Sequence, residues 1–200
     1  MENQSYKIPN VPPLVQHPDL PTGCEATALA MLLNWAGLEI SKYAVVDALP
    51  KGDKVHTVGG ERIGANPHYE FVGDPYVDDG SFGVFEGPIL EVIEKLMPGA
   101  GVDLTGQNFD ALLDIVRSGK PVMAWTTIHQ RQTYHSDTWI DNEGNTIEWF
   151  CNEHAAVIIG MHGDDLLVND PTTGQTERYA RNLFEHNWAS MGKRAITLNV

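Results

Sequence analysis

The sequence is poor in cysteine and in basic residues. It has 2 cysteines in 200 residues, too few for the disulfide framework that stabilises many small secreted domains. It has 13 Lys and Arg against 27 Asp and Glu, which gives a formal net charge of −14. Nucleic acids and anionic membrane surfaces are bound by basic patches. The charge balance therefore argues against both as partners.

Long apolar runs are also absent. No stretch approaches the roughly 20 apolar residues needed to cross a bilayer, and the N-terminus lacks the apolar centre of a signal peptide. We expect either a cytosolic protein or the mature form of an exported one. A chain of this length, 42% hydrophobic and 20% charged, fits one soluble domain spanning residues 1–200. Residues 1–15 are rich in proline, and we expect them to be extended along the surface.

The most informative stretch includes the first cysteine and reads QHPDLPTGCEATALAMLLNWAG, residues 16–37. From Ala26 to Ala36 the residues are almost all apolar, which predicts a helix that is buried on most of its circumference. Gly37 tolerates the left-handed backbone conformation that ends many helices. We therefore predict a buried helix that ends at this glycine.

Cys24 is predicted to lie in the first turn of this helix. Thr22 and Glu25 have the spacing of a capping box, in which Thr22 is the N-cap and Glu25 folds back. Free N–H groups and the helix dipole favour a negative charge in a first turn. We therefore predict a lowered pKa for the Cys24 thiol. Two alternatives remain open: an inert, buried cysteine, or a disulfide with Cys151 that would prevent nucleophilic attack.

The remaining pattern places helices before strands, with little alternation between them. Helices are predicted at residues 41–49, 87–97, 108–119 and 180–191. Strands are predicted at 121–128, in one hairpin at 137–140 and 146–150, in a second hairpin at 155–161 and 166–170, and at 195–200. This order is typical of an α+β domain with an antiparallel sheet.

Residues 50–88 are rich in Gly, Pro and Asp and have no regular periodicity. We predict a long ordered loop, because a disordered segment would contain few aromatic residues. The aromatic residues here are Tyr69, Phe71, Tyr76, Phe82 and Phe85. Either they form a wall of a substrate site, or they pack as a satellite hydrophobic cluster.

Cysteine catalysis needs a base for the thiol proton and a group that orients the base. Among the 8 histidines, His154 alone begins an apolar strand. The predicted hairpin returns Asp170 to the same end of the sheet, where its carboxylate can accept the imidazole N–H. Asn169 alternates to the opposite face and is the weaker candidate. The side-chain amide of Gln16 can join the Cys24 N–H in an oxyanion hole.

Each of these residues also has an ordinary interpretation. A histidine at the end of a sheet is commonly a structural residue with satisfied hydrogen bonds. Asp170 begins the sequence DPTTG, which is favourable for a turn, and a glutamine in a Pro-rich loop is normally solvated. Nothing has the spacing of a metal site: His129 and His135 lack a third ligand. We therefore predict no metal and no cofactor.

Several sequence blocks together resemble the C39-like peptidase family of the papain-like superfamily. They are QHPDLPTGCEATALAMLLNWAG, FVGDP, SFGVFEGP, GKPVMAW, EHAAVIIGM and VNDPTTG, and the resemblance spans roughly residues 11–198. It implies a papain-like fold with the nucleophile helix packed on an antiparallel sheet. It also implies Cys24 as nucleophile, His154 as base, Asp170 as orienting residue and Gln16 as oxyanion donor.

The resemblance and the residues together predict a cysteine peptidase that acts on a peptide or another amide. The same triad would serve an acyltransferase of the transglutaminase type, so that alternative stays open. A catalytically silent binding module is a third alternative, although such a module has no need to keep all four residues. The family resemblance favours an extracellular or cell-surface location, with a cytoplasmic one left open.

Overall fold

The computed structural model describes residues 5–200 of the chain. Within this range the helices are α1 (Cys24–Trp35), α2 (Lys42–Ala48), α3 (Glu86–Leu96), α4 (Phe109–Arg117) and α5 (Arg181–Ser190). The strands are β1 (Ser5–Lys7), β2 (Lys51–Gly52), β3 (His56–Val58), β4 (Glu61–Ile63), β5 (Phe71–Val72), β6 (Gly101–Asp103), β7 (Val122–Thr127), β8 (Tyr134–Ile140), β9 (Thr146–Cys151), β10 (Glu153–His162), β11 (Asp165–Asp170), β12 (Gln175–Ala180) and β13 (Ala195–Leu198). None of these helices has the length and apolar character needed to span a bilayer.

The largest sheet has the strand order β12-β11-β10-β7-β13-β6, with β1 also paired to β10. Every neighbouring pair in it is antiparallel. The helix α1 packs against β10 and against α2, and the main hydrophobic core lies between these elements. The prediction of an α+β fold with an antiparallel sheet is confirmed.

Helix α1 is buried because its sequence offers almost no polar face. Every residue from Cys24 to Leu33 is buried. The helix ends at Gly37, which has a φ of +89°. There Leu38 N–H donates to Leu33 O and Gly37 N–H donates to Asn34 O, both at 3.0 Å. This pair of hydrogen bonds is the Schellman arrangement, so the predicted helix end is confirmed.

Part of the N-terminal segment is a strand of the largest sheet. Ser5–Lys7 pairs with the end of β10, and both Ile8 and Val11 are buried. The close approach depends on Gly160, where a Cβ atom would lie 2.1 Å from the carbonyl oxygen of Tyr6. Residues 5–7 are extended, as predicted for residues 1–15, and the expected surface position is contradicted for Ile8 and Val11, which are buried; residues 1–4 lie outside the described range.

Residues 50–88 are mainly loop, as predicted, but they also contain four short strands. β2 pairs with β5, and β3 and β4 join β8 and β9 in a sheet of four strands. This region forms a second hydrophobic cluster around Val72, Trp139 and Trp149, against which Phe82 and Phe85 pack. The satellite-cluster interpretation is confirmed for these aromatic residues, whereas the strands were not predicted because each has only 2 or 3 residues.

Candidate active site

Cys24 is the first residue of α1, and the predicted capping box is absent. The N-cap is Gly23, with no side-chain hydrogen bond to the helix. The Thr22 hydroxyl donates instead to the carbonyl oxygens of Val77 at 3.2 Å and Asp74 at 3.4 Å. These bonds hold the loop around residues 74–77 beside the start of the helix. The spacing of Thr22 and Glu25 was therefore misleading, since both side chains bond elsewhere.

The Cys24 thiol lies in an acidic environment. Its Sγ donates a hydrogen bond to Oε2 of Glu25 at 3.3 Å, and the other oxygen, Oε1, accepts from the backbone N–H of Val84 at 2.8 Å. A carboxylate oxygen of Glu153 completes the cluster: one ligand-type atom from each of the three residues lies within 4.8 Å of the others. The thiol therefore faces two carboxyl groups.

This environment raises the pKa of the Cys24 thiol well above its ordinary value. Burial is the largest cause, and the charges of Glu25 and Glu153 act in the same direction. Burial also raises the pKa of Glu25 to about 7 and that of Glu153 well above its ordinary value. The prediction of a lowered thiol pKa was wrong, because burial and like charge outweigh the helix dipole.

His154, at the start of β10, and Asp170, at the end of β11, form a buried pair. Nε2 of His154 and Oδ1 of Asp170 are 2.8 Å apart, and both residues are 1% exposed. The backbone N–H of Thr172 also donates to Oδ1 at 2.8 Å, and the Tyr179 hydroxyl donates to Oδ2 at 2.5 Å. Burial opposes ionisation of Asp170, but the hydrogen bonds and the nearby imidazole outweigh it and hold the pKa of the carboxyl below its ordinary range.

The alignment of this pair depends on a β-bulge. His162 pairs with Asp165 across the hairpin turn, whereas Ile158 pairs with Val168, so the strand β10 has one extra residue between them. Without the bulge, the register would place His154 and Asp170 on opposite faces, because a one-residue slip turns each side chain over. With it, Asp170 lies diagonally opposite His154 on one face.

The structure does not join Cys24 to His154 by a hydrogen bond. Nδ1 of His154 is buried and has no partner, while the thiol proton is directed to Glu25. Cys24 and Cys151 are both free thiols. The predicted catalytic group therefore consists here of a formed His154–Asp170 pair and a cysteine whose thiol is hydrogen-bonded to Glu25 instead of to His154.

Gln16 is 5% exposed and belongs to the loop before α1. Its side-chain nitrogen donates to the carbonyl oxygens of Leu20 and Pro21, each at 3.1 Å. Its backbone N–H donates to Pro171 O at 2.8 Å, which ties the loop to the corner after Asp170. Both amide protons of the Gln16 side chain are thus hydrogen-bonded within the loop. The side chain would have to reorient before it could donate to an oxyanion.

Sequence reasoning missed the polar residues that surround the predicted group. The sequence predicted Glu25 to be part of a helix cap, although the single acidic residue of an almost entirely apolar helix indicates a buried carboxyl. Glu153 directly precedes His154 and was not considered. Tyr179 was missed because β12, with no clear alternation of apolar residues, was not predicted.

Within residues 5–200, one group of side chains is compact enough to hold a metal ion. It consists of Cys24, Glu25 and Glu153. The hydrogen bond between the thiol and Glu25 accounts for their proximity without an ion. Beside Glu153 lies an open cavity of about 260 Å³, lined among others by His68, Phe85, Trp149 and Arg194. Segment 50–88 thus contributes to the wall of a cavity next to this cluster.

Comparison with known proteins gives consistent results. The sequence pattern of the Peptidase_C39 like family matches residues 8–196. The uncharacterized protein YvpB of Bacillus subtilis (strain 168) is 30% identical over 181 residues, which cover 90% of this chain and 70% of YvpB. A crystal structure from Bacillus anthracis, described as that of a candidate C39-like peptidase, is 32% identical. The match covers 99% of this chain and 98% of that one, with a TM-score of 0.88.

Proposed function

The chain belongs to the C39-like peptidase family, and we propose that it is a cysteine peptidase or a related amide hydrolase. In this proposal Cys24 is the nucleophile, His154 is the general base and acid, and Asp170 orients His154. The observation that carries the proposal is the buried imidazole, whose Nε2 is bonded to Asp170 while Nδ1 has no partner. A histidine arranged in this way has one ring nitrogen fixed and the other available for a proton.

The reaction begins when the Cys24 side chain turns from Glu25 and gives its proton to Nδ1 of His154. The thiolate attacks the amide carbonyl, and the N–H groups at the start of α1 stabilise the oxyanion. His154 then protonates the leaving amine, and a water molecule activated by the same imidazole releases the acyl group. Gln16 assists the oxyanion only after its amide leaves the carbonyl oxygens of Leu20 and Pro21.

The cavity beside Glu153 supports a substrate site on this side of the molecule. Its aromatic wall includes Phe85 and Trp149, whose rings are nearly parallel with centroids 5.6 Å apart. The side chain of Arg194 lies over the Phe85 ring at 3.8 Å. These groups can contact a substrate chain through both stacking and polar contacts.

A mixture of diverse peptides tests the proposal, with new termini detected by mass spectrometry. A Cys151→Ser protein serves as the parent, so that Cys24 is the remaining thiol. We expect cleavage by the parent, no cleavage by Cys24→Ala, and a rate at least about 100-fold lower for His154→Ala. Cleavage by Cys24→Ala at the parent rate would refute the assigned nucleophile.

The second candidate function is a binding module without catalysis. One observation favours it: the thiol is buried, has a raised pKa and donates to Glu25 rather than to His154. In that case folded protein would retain a peptide without cleaving it, and Cys24→Ala would bind as tightly as the parent. Binding measured by calorimetry alongside the cleavage assay distinguishes the two functions.

A further inference from the structure

Glu25 is an unusual residue for its place in the fold. It is 0% exposed and is the one charged residue of a helix that is otherwise almost all apolar, and its two oxygens accept from the Val84 N–H and the Cys24 thiol. The adjacent loop is shaped around it, since a Cβ atom at Gly83 would lie 2.4 Å from Oε1 of Glu25. A buried carboxyl is costly, so this arrangement needs a reason beyond packing.

We propose that Glu25 is a positioning residue that holds the Cys24 thiol in a protonated resting position, turned away from Nδ1 of His154. The inference rests on the proposed function for the role of His154. While Glu25 carries its charge, it accepts a hydrogen bond from the thiol S–H and opposes a second negative charge on the sulfur. Ionisation of Cys24 therefore follows when Glu25 is neutral or when the thiol has turned to His154, and the single proton that leaves Sγ goes to Nδ1.

The other groups around Glu25 support this role. Glu153 adds a second carboxyl within 4.8 Å of the thiol and of Glu25, and one of its oxygens, Oε1, is buried without a partner. Burial raises the pKa of both carboxyl groups, whereas His154 lowers the pKa of Glu25 and Arg194 lowers that of Glu153. Two adjacent carboxyls in a buried site do not ionise together readily, so a charge on either one opposes ionisation of the other and of Cys24.

The pH dependence of Cys24 alkylation by iodoacetamide tests this role, in the Cys151→Ser parent and with the Glu25→Gln substitution added. The amide keeps an oxygen for the Val84 N–H and offers an N–H to the sulfur, so it favours the thiolate. We expect alkylation at pH 7 to be about tenfold faster or more, with the midpoint of the pH profile lowered by about one unit or more. The ultraviolet absorbance of the thiolate, followed against pH, gives the same midpoint independently.

Two control variants separate charge from access. Glu39→Gln removes an exposed charge in the loop that follows the C-terminal end of α1, and should leave the profile unchanged. Leu29→Ala opens a cavity in the helix packing without changing charge, so it tests whether water access alone lowers the midpoint. A midpoint lowered as much as in Glu25→Gln would assign the shift to hydration of the thiol and count against the role of Glu25. If Glu25→Gln does not fold, Glu153→Gln decides the matter: it should lower the midpoint measured for the parent, by less than about one unit, since Glu153 raises the thiol pKa through its charge alone.

An unchanged or raised midpoint in Glu25→Gln, or in Glu153→Gln where that variant decides, would overturn the inference. The outcome is separable from that of the proposed function, because alkylation does not require a substrate. A lowered midpoint without any peptide cleavage would sustain the role of Glu25 and count against the hydrolase. Peptide cleavage with an unchanged midpoint would support the hydrolase and overturn the role of Glu25.

Discussion

Replacement of Asp170 by alanine should destabilise the protein strongly, because three donors lose their acceptor. They are Nε2 of His154, the Thr172 N–H and the Tyr179 hydroxyl. A buried donor left without a partner costs about 1–3 kcal/mol. His154 is fully buried and bears the larger cost, whereas Thr172 and Tyr179 are partly exposed and can turn to water.

We therefore expect the free energy of unfolding to fall by about 3–4 kcal/mol in Asp170→Ala, after allowance for water at the two partly exposed donors. For a chain of this size, that corresponds to a decrease in Tm of about 6–16 °C. Asp170→Asn should lose about 1–2 kcal/mol, because its carbonyl oxygen keeps the bonds from His154 and Thr172. Tyr179→Phe, which removes one donor, should lose about 1 kcal/mol.

Urea unfolding followed by circular dichroism, with thermal unfolding beside it, measures these differences. The pH dependence has a definite sign: the pKa of Asp170 is lower in the folded protein, so the unfolded chain takes up this proton first. The stability due to ionised Asp170 is therefore present above its unfolded pKa of about 3.9 and is lost as the pH falls below it. A loss below about 1 kcal/mol in Asp170→Ala would refute the hydrogen-bonded cluster.

Three further substitutions test the fold. Asp141→Ala should lower the free energy of unfolding by about 2–3 kcal/mol in urea titrations, because Asp141 accepts hydrogen bonds from Asn66, Glu143 and Asn145. Burial alone would raise the pKa of Asp141, but these bonds lower it to about 2. The stability that these bonds give to ionised Asp141 is thus lost between about pH 4 and pH 2. A stability difference between the parent and Asp141→Ala that does not change with pH would contradict this contribution. Gly160→Ala should displace β1 at a cost on the order of 2 kcal/mol, seen as faster hydrogen exchange in Tyr6 and Ile8; unchanged exchange would count against the close approach. Gly37→Ala should cost about 1 kcal/mol of unfolding free energy, since only its positive φ is strained, and an equally stable variant would show that the helix end relaxes freely.

The parts of the fold with strong periodicity could be predicted from the sequence. The apolar run of α1, the helical spacing before β7 and the two hairpins are each determined by residues close together in the chain. The short strands, β1 among them, could not be predicted, because strands of 2 or 3 residues depend on pairing with partners that are distant in the chain. β1 is defined by the missing side chain of Gly160, which no local pattern near Ser5 reveals.

The candidate site divides in the same way. His154 and Asp170 could be selected from the hairpin, but their common face depends on the bulge next to Ile158, which the spacing alone does not indicate. The pKa of Cys24 was predicted in the wrong direction because local sequence reveals the helix start but not the burial of the thiol, which is the largest cause of the raised pKa. The neighbouring Glu25 is visible in the sequence, but the direction of its side chain and the approach of Glu153 from a distant strand are not.

Formation of an acyl enzyme is the most direct test of Cys24 and His154 as a catalytic pair. The Cys151→Ser parent would be mixed with an activated ester such as p-nitrophenyl acetate, and the intact mass followed with time. We predict one acetyl group on Cys24 per molecule, none in Cys24→Ala, and acylation slowed at least about 100-fold in His154→Ala. An unmodified Cys24, or acylation at the same rate without His154, would contradict the proposed mechanism.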